Sequence, residues 1–254
     1  MKQKLVILLL LSSATTFACT NFLVGRAASA DGSTMIPYSA DSYWLFGALY
    51  HYAAADHAEG AMRPIYEWDT GKYLGEIPEV GHTYNVVGNM NEHQLCIGET
   101  TYGGREELVD TTGIIDYGSL IYITLQRATN AREAIKTMVE LVAAYGYYSE
   151  GESFSIADPQ EVWILEMIGK GVGNKGAVWV ARRVPDDCIS AHANQARITT
   201  FPMESRKNAN SISSKHISRI FEPNIEVVYA DDVVDFARKK GYFDGKDEEF
   251  SFSD

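Results

Sequence analysis

Cysteines and basic residues are scarce in this sequence, and each shortage excludes a class of protein. The 254 residues include three cysteines, too few for a disulfide scaffold of this size. Lys and Arg number 22 against 34 Asp and Glu, which gives a formal net charge of −12. This sign argues against nucleic acid or an anionic membrane as a partner. Because 46% of the residues are hydrophobic, the composition is that of a globular protein.

Metal, membrane and nucleotide motifs are also missing. The six histidines show no H-x-x-x-H spacing and no C-x-x-C partner, so we expect no zinc site and no cofactor. After residue 18, no apolar run approaches the roughly 20 residues that a membrane helix requires. Asp69-Thr70-Gly71 matches the aspartic-protease triplet, but no second complete triplet follows. The glycine-rich run 171–176 precedes a predicted strand, which indicates a hairpin turn and argues against a dinucleotide loop.

The first 18 residues have the organisation of a secretory signal. Two lysines precede a short apolar core at 5–11, and small residues stand at positions −3 and −1 before Cys19. We therefore predict that signal peptidase removes residues 1–18. Residues 19–254 would then form an exported domain, secreted or periplasmic, with no membrane association after cleavage. The sequence leaves homo-oligomer formation open.

Cys19 would become the first residue of the mature chain, and two interpretations follow. In a lipoprotein its thiol would carry a diacylglyceryl group and its amine would be acylated, although Thr16 and Phe17 fit the usual lipoprotein signal poorly. Alternatively, Cys19 is a nucleophile that carries its own base, since a free α-amine has a pKa of about 7.7–8.0. A papain-type pair of Cys96 or Cys188 with His192 is a third arrangement that spacing alone leaves open.

The pattern along the chain predicts strands, then helices, then strands and a last helix, which is an α+β arrangement. Helices are expected over 117–128, over 131–145, where Asn130 can cap and Glu133 follows three residues later, and over 231–240. The polar stretch 206–215 is expected to be a surface loop. Strands are expected at 21–25, 34–38, 83–87, 94–101, 153–157, 161–168 and 177–183.

Four stretches together resemble the dipeptidase A family of cysteine dipeptidases. They are CTNFLVGRAASADGSTMI at 19–36, VVGNMNEHQLCIGETT at 86–101, ADPQEVWILEM at 157–167 and SAHANQARI at 190–198. These dipeptidases are N-terminal nucleophile hydrolases, related to penicillin V acylase, bile salt hydrolase and secernin. The resemblance implies a four-layer αββα sandwich. It also implies that family members continue past residue 254, so we expect the domain to be incomplete at its C-terminal end.

The resemblance also implies roles for individual residues. Cys19 matches the family's nucleophile, and Asp41 matches an acidic residue that orients the α-amine. Asn91 and Asn194 match asparagines beside the oxyanion, where amide donors stabilise the transition state. One departure stands out, because Tyr38 occupies the position at which many relatives have an arginine close to the nucleophile.

These observations favour an exported cysteine dipeptidase. The Cys19 thiolate would attack the amide bond of a small peptide, its own α-amine would transfer the proton, and no metal or cofactor would be needed. Two alternatives remain open at this stage. One is a related acylase that cleaves a non-peptide amide, and the other is a non-catalytic lipoprotein anchored through Cys19.

Overall fold

A computed structural model describes residues 19–41 and 47–254. The predicted signal peptide, residues 1–18, lies outside the described residues. Within the described ranges, none of the helices combines the length and apolar character needed to cross a bilayer.

Most of the regular structure is β-strand. The three α-helices of the described ranges are α1 (Tyr117–Leu125), α2 (Ala131–Tyr145) and α3 (Val233–Lys240). Short 3₁₀ turns cover Glu106–Leu108, Ser214–Phe221 and Asp247–Glu249. In chain order the strands are β1 (Thr20–Val24), β2 (Tyr38–Ser39), β3 (His51–Tyr52), β4 (Ala55–Asp56), β5 (Met62–Tyr66), β6 (Tyr73–Pro78), β7 (His82–Thr83), β8 (Val86–Val87), β9 (Met90–Asn91), β10 (Cys96–Gly103), β11 (Gly151–Ala157), β12 (Val162–Gly169), β13 (Ala177–Val184), β14 (Ile189–His192), β15 (Ser211–Ser213) and β16 (Val227–Tyr229).

A nine-stranded sheet forms the centre of the protein, in the order β15-β16-β13-β12-β11-β10-β9-β8-β3. Its neighbouring strands are antiparallel except for the parallel pair β15 and β16. Every residue of β11 and of β12 is buried, which requires that both faces of the sheet be covered. The fold is therefore mixed α/β, with large sheets and few helices.

The two faces of this sheet are covered by different elements. Arg132 of α2 lies over the ring of Trp163 on β12, which places α2 on that face. Asn21 of β1 contacts the hydroxyl of Ser155, and Ser155 pairs with Ile164, the neighbour of Trp163. Because successive side chains of a strand point to opposite faces, β1 lies on the side opposite α2. The small sheet β14-β1-β2 thus covers the second face.

Helix α2 has the N-cap residue and the first and last residues that the sequence predicts. The Asn130 side chain accepts a hydrogen bond from the Glu133 amide at 3.0 Å. The Glu133 carboxylate accepts from the amide of Thr129, one residue before the cap, so the reciprocal half of a capping box is displaced by one position. Glycine at 146 ends the helix with a positive φ of 81°, as the sequence predicts.

Three other expectations need correction. Helix α1 ends at Leu125 and does not continue to residue 128. The stretch 206–215 is not entirely loop, because Ser211–Ser213 is buried as β15. In the predicted strand 34–38, only Tyr38 belongs to a strand, and Met35 forms an isolated bridge with Val24. The polar composition of residues 206–215 does not predict β15, because this strand forms by pairing with β16, which lies further along the chain.

Arg132 ties the helix layer to the chain that follows the sheet. Its guanidinium binds both carboxylate oxygens of Glu161, at 2.5 and 2.9 Å. It also donates to the carbonyl oxygens of Ile220 and Glu222. These acceptors are buried or partly buried, so removing the cation takes a donor from each of them, and Arg183 is then the only cation of the described ranges still bonded to Glu161.

Replacing Arg132 with alanine is expected to lower the free energy of unfolding by about 3–5 kcal/mol, because Glu161 becomes a buried charge with one fewer cation. Lys136→Ala on the same helix is the matched control. Its bond to Glu140 is an exposed i,i+4 pair, expected to contribute about 0.3–0.5 kcal/mol. Urea denaturation measures both values. Equal losses in the two variants would contradict the role assigned to Arg132.

Candidate active site

Cys19 lies immediately before β1, at the edge of the small sheet. Thr20 pairs with Ser39 of β2, which brings the chain around Asp41 next to the cysteine. The thiol is partly exposed, and the backbone N–H of Asp41 donates towards it. A thiol at the start of a strand, partly open to solvent and beside a backbone donor, has the access that a nucleophile requires.

Burial raises the pKa of the Cys19 thiol above its ordinary value. The backbone N–H of Asp41 opposes that rise, whereas the negative charges of Glu99 and Asp41 add to it. No cation is among the groups that act most strongly on this thiol. The thiol is therefore protonated at neutral pH, and a nucleophilic role for Cys19 requires a nearby base.

Asp41 is exposed and lies beside Cys19, as the sequence predicts. The hydroxyl of Ser39 donates to its carboxylate at 3.2 Å. The next five residues, 42–46, lie outside the described residues. The contact of its backbone N–H with the thiol places Asp41 at the entrance to the candidate site.

Tyr38 stands where many relatives have an arginine, and it does not supply a charge to the thiol. Its hydroxyl donates to Glu99 on β10 at 2.5 Å. Burial, followed by the negative charge of Glu99, raises the pKa of Tyr38 far above its ordinary value, so the phenol stays neutral. A Cβ on Gly98 would lie 3.2 Å from the Asn21 side-chain nitrogen, a tight contact, and 3.4 Å from the Tyr38 ring, an ordinary one.

Asn194 lies on the segment after β14, against the strand that carries Glu99. One amide N–H donates to the carbonyl of Thr101 on β10 at 2.6 Å. The Oδ1 atom is buried without a partner in the described part of the chain. Its φ of 53° is in the left-handed region, which asparagine tolerates better than most residues. The second N–H of this amide remains available to an incoming oxygen.

Glu166 holds the segment that contains Asn194, a role that no sequence motif indicates. Its fully buried carboxylate accepts from the backbone N–H groups of Arg197 and Ile198, at 2.5 and 2.9 Å. The hydroxyl of Ser153 adds a third, longer bond. Only the fold brings Glu166 of β12 beneath residues 197 and 198, so no local pattern could identify it.

The structure does not support the predicted oxyanion role of Asn91. Both of its amide N–H groups are engaged, one with the carbonyl of Leu125 at 2.8 Å and one with that of Ala128 at 2.7 Å. Its Oδ1 accepts from the backbone N–H groups of His93 and Leu95. Asn91 is thus a buried structural residue that joins the β9–β10 turn to the end of α1.

His192 is not the base of a papain-type pair. Its two ring nitrogens lie 2.6 Å from the Thr100 hydroxyl and 2.8 Å from the Ser155 hydroxyl, so neither nitrogen is left to act on a cysteine. Burial lowers its pKa to about 4, so the ring is neutral at physiological pH. Cys96 contacts the carbonyl of Gln94, and Cys188 is exposed. This histidine therefore joins β14 to the central sheet.

The charge of Glu99 is predicted to affect the pH at which the Cys19 thiolate forms. Because its negative charge raises the pKa of Cys19, Glu99→Gln is expected to lower the pH at which the Cys19 thiolate forms. The rate of Cys19 alkylation by iodoacetamide, followed by peptide mass spectrometry against pH, measures this midpoint. A midpoint that stays fixed or moves upward in Glu99→Gln would contradict the proximity of the two groups.

Comparisons with known proteins indicate the family of this chain. The family model described as peptidase family C69 matches residues 18–63 and 50–254. A "Probable dipeptidase" of Latilactobacillus sakei is 29% identical over 201 residues, which cover 71% of this chain and 40% of the relative. A "Probable dipeptidase" of Salmonella dublin is 26% identical over 96% of this chain and 54% of the relative. "Dipeptidase A" of Lactobacillus helveticus is 27% identical over 75% of this chain and 43% of the relative.

The chain spans about half the length of the curated relatives it matches. The family match nevertheless begins one residue before Cys19 and runs to Asp254. It therefore includes Cys19, Asp41 and Asn194, together with strands β1, β2 and β14. On this match, the chain belongs to peptidase family C69.

Proposed function

We propose that this chain is an exported cysteine dipeptidase with Cys19 as its nucleophile. The observation that carries the proposal is a partly exposed Cys19 at the start of β1, in a chain of family C69. Relatives named as dipeptidases support dipeptides as the substrate class. A four-layer αββα sandwich is part of the same proposal.

Removal of residues 1–18 is the activating step in this account. It frees the α-amine of Cys19, whose unperturbed pKa of about 7.7–8.0 suits a base at neutral pH. Such a base is needed because burial keeps the thiol protonated. Asp41 would orient the amine through its carboxylate, and the backbone N–H of Asp41 would hold the sulfur.

The reaction then proceeds in two steps, formation of a thioester on Cys19 and its hydrolysis. The thiol proton passes to the α-amine as sulfur attacks the scissile carbonyl, and Asn194 donates its second N–H to the oxyanion. The amine returns the proton to the leaving nitrogen, which releases the C-terminal amino acid and leaves a thioester on Cys19. Water, deprotonated by the same amine, attacks the thioester, and the thiol leaves with the proton.

A substrate panel tests this proposal on the processed protein. We expect L-Ala-L-Ala and related dipeptides to give two free amino acids, detected by mass spectrometry, while penicillin V and glycine-conjugated bile acid are cleaved far more slowly. Faster cleavage of the acyl amides would identify an acylase of the same family. Failure to cleave either class, together with acylated Cys19, would favour an anchored binding protein.

A further inference from the structure

A row of buried polar side chains crosses the central sheet beneath the segment that follows β14. Thr100 of β10 pairs in register with Ser153 of β11, which in turn pairs with Glu166 of β12. None of the three is exposed. They lie on the face that β1 covers, because Ser155, two residues from Ser153 on the same strand, contacts Asn21 of β1. Buried polar groups need partners, and here the layer above the sheet supplies them.

Three contacts attach residues 192–198 to this face of the sheet. The ring of His192 contacts the hydroxyl of Thr100, and the amide of Asn194 donates to the backbone of the same strand, β10. The carboxylate of Glu166 then accepts two backbone N–H groups, three and four residues after Asn194. The segment is therefore held before Asn194, at Asn194 and after it.

Glu166 is the charged member of these anchors. Burial raises its pKa, and the backbone N–H groups of Arg197 and Ile198 oppose that rise. Each carboxylate oxygen accepts one of these two N–H groups, so a single side chain sets the position of two successive peptide groups. Hydrogen bonds to an ionised acceptor are also stronger than those between neutral groups. The end of the segment is therefore firmly placed.

Asn194 and Cys19 lie at the same edge of the small sheet. Asn21 of β1 pairs in register with His192 of β14. Because the two strands are antiparallel, Cys19 lies two residues before this pair on one strand, and Asn194 lies two residues after it on the other. Strand β14 ends at His192, and Asn194 has a positive φ of 53°. Regular sheet pairing therefore does not hold Asn194, and its position depends on the contacts around it.

We propose that Glu166 is a positioning residue for the reaction, which aims the amide of Asn194 at the oxyanion formed on attack by Cys19. The inference rests on the proposed hydrolysis. An oxyanion donor lowers the barrier only when its N–H already points to the place where negative charge develops. Glu166 acts through the backbone of residues 197 and 198 and touches neither the substrate nor the thiol.

The change that tests this role is Glu166→Gln. Glutamine offers one acceptor oxygen, and its amide nitrogen would face the second backbone N–H. We expect kcat for L-Ala-L-Ala to fall by about 10–100-fold, because small misplacements at a reacting centre have effects of this size. KM should change little, since the donor acts mainly in the transition state. Steady-state kinetics on the processed protein measures both constants.

Asp158→Asn is the matched control. Asp158 is also a buried carboxylate, and it accepts three backbone N–H groups, two of them from the β11–β12 turn. That turn contacts Arg26, which follows the end of β1 opposite Cys19. Asp158→Asn should therefore lower stability and leave the kcat of the folded protein unchanged.

A double-mutant cycle with Asn194→Gly separates positioning from a merely structural role. Once the Asn194 amide is absent, Glu166→Gln has nothing left to position, so we expect little further loss of kcat. A merely structural role would give the same fold-loss in both backgrounds.

Three results would overturn the inference. They are an unchanged kcat in folded Glu166→Gln, equal fold-losses with and without the Asn194 amide, and a loss of kcat in Asp158→Asn as large as that in Glu166→Gln. Circular dichroism and thermal melting check folding. If Glu166→Gln does not fold, Glu166→Asp, which keeps the charge but shortens its reach, takes its place in the same cycle.

The inference and the proposed function can fail separately. Hydrolysis of L-Ala-L-Ala with additive losses in the cycle would retain the dipeptidase and refute the positioning role. Cleavage of penicillin V in place of L-Ala-L-Ala would refute the dipeptidase, and the same cycle measured with penicillin V would still decide the role of Glu166. Hydrolysis of neither substrate would overturn both.

Discussion

Replacing Cys19 with alanine is expected to lower kcat for dipeptide hydrolysis by about 10⁴-fold or more, since removal of a covalent nucleophile costs losses of this order. The fold should survive, because Cys19 lies before β1 and is only partly buried. Steady-state assays with L-Ala-L-Ala measure the loss. Thermal melting shows whether the variant is folded.

Cys188→Ala is the matched control for this substitution. Its thiol is exposed and forms a hydrogen bond with the neighbouring Asp187 at 3.5 Å. We expect its kcat to equal that of the unsubstituted protein. Full activity in Cys19→Ala, or loss of activity in Cys188→Ala alone, would contradict the assignment of the nucleophile.

Replacing Asn194 is expected to have the second-largest effect on catalysis. Loss of one oxyanion donor typically lowers kcat by about 10²–10³-fold, with KM little changed because the donor acts mainly in the transition state. Alanine strains the positive φ at this position, whereas glycine accepts it. Asn194→Gly therefore isolates the loss of the amide, and Asn194→Ala adds the strain.

Asn91→Ala provides the contrast. This change removes two donors and two acceptor contacts from a buried turn, so stability should fall by about 1–3 kcal/mol. The kcat of the folded fraction should stay the same. A large fall in kcat for Asn91→Ala together with full activity of Asn194→Gly would exchange the roles given to the two asparagines.

Local sequence patterns were sufficient for much of the fold. Asn130 and the apolar stripe that follows predict α2 because capping and a 3.6-residue period act within one segment. The glycine run at 171–176 predicts the β12–β13 turn for the same reason, and Gly169 indeed pairs with Ala177 across it. Strand β15 was missed because its stability comes from β16 and from burial, neither of which is visible in its polar neighbourhood.

The candidate site was likewise predictable only in part from the sequence. The resemblance predicted roles for Cys19, Asp41, Asn91 and Asn194, and the structure brings the first two together and places Asn194 against β10. The resemblance could not show that Asn91 has a structural role in a turn. The carbonyl groups that its amide binds belong to Leu125 and Ala128, which are distant from it in the sequence. Glu166 and Ile198 are 32 positions apart and meet only because the segment after β14 lies against the central sheet. A buried charge of this kind carries no local sequence signal.

The mass of the N-terminal peptide, taken from protein recovered after export, tests the central claim most directly. The account predicts a peptide that begins at Cys19 with an unmodified thiol and a free α-amine, since both groups take part in the reaction. A diacylglyceryl or acylated Cys19, or a mature chain that still carries residues before it, would contradict the account, because the proposed base would not exist.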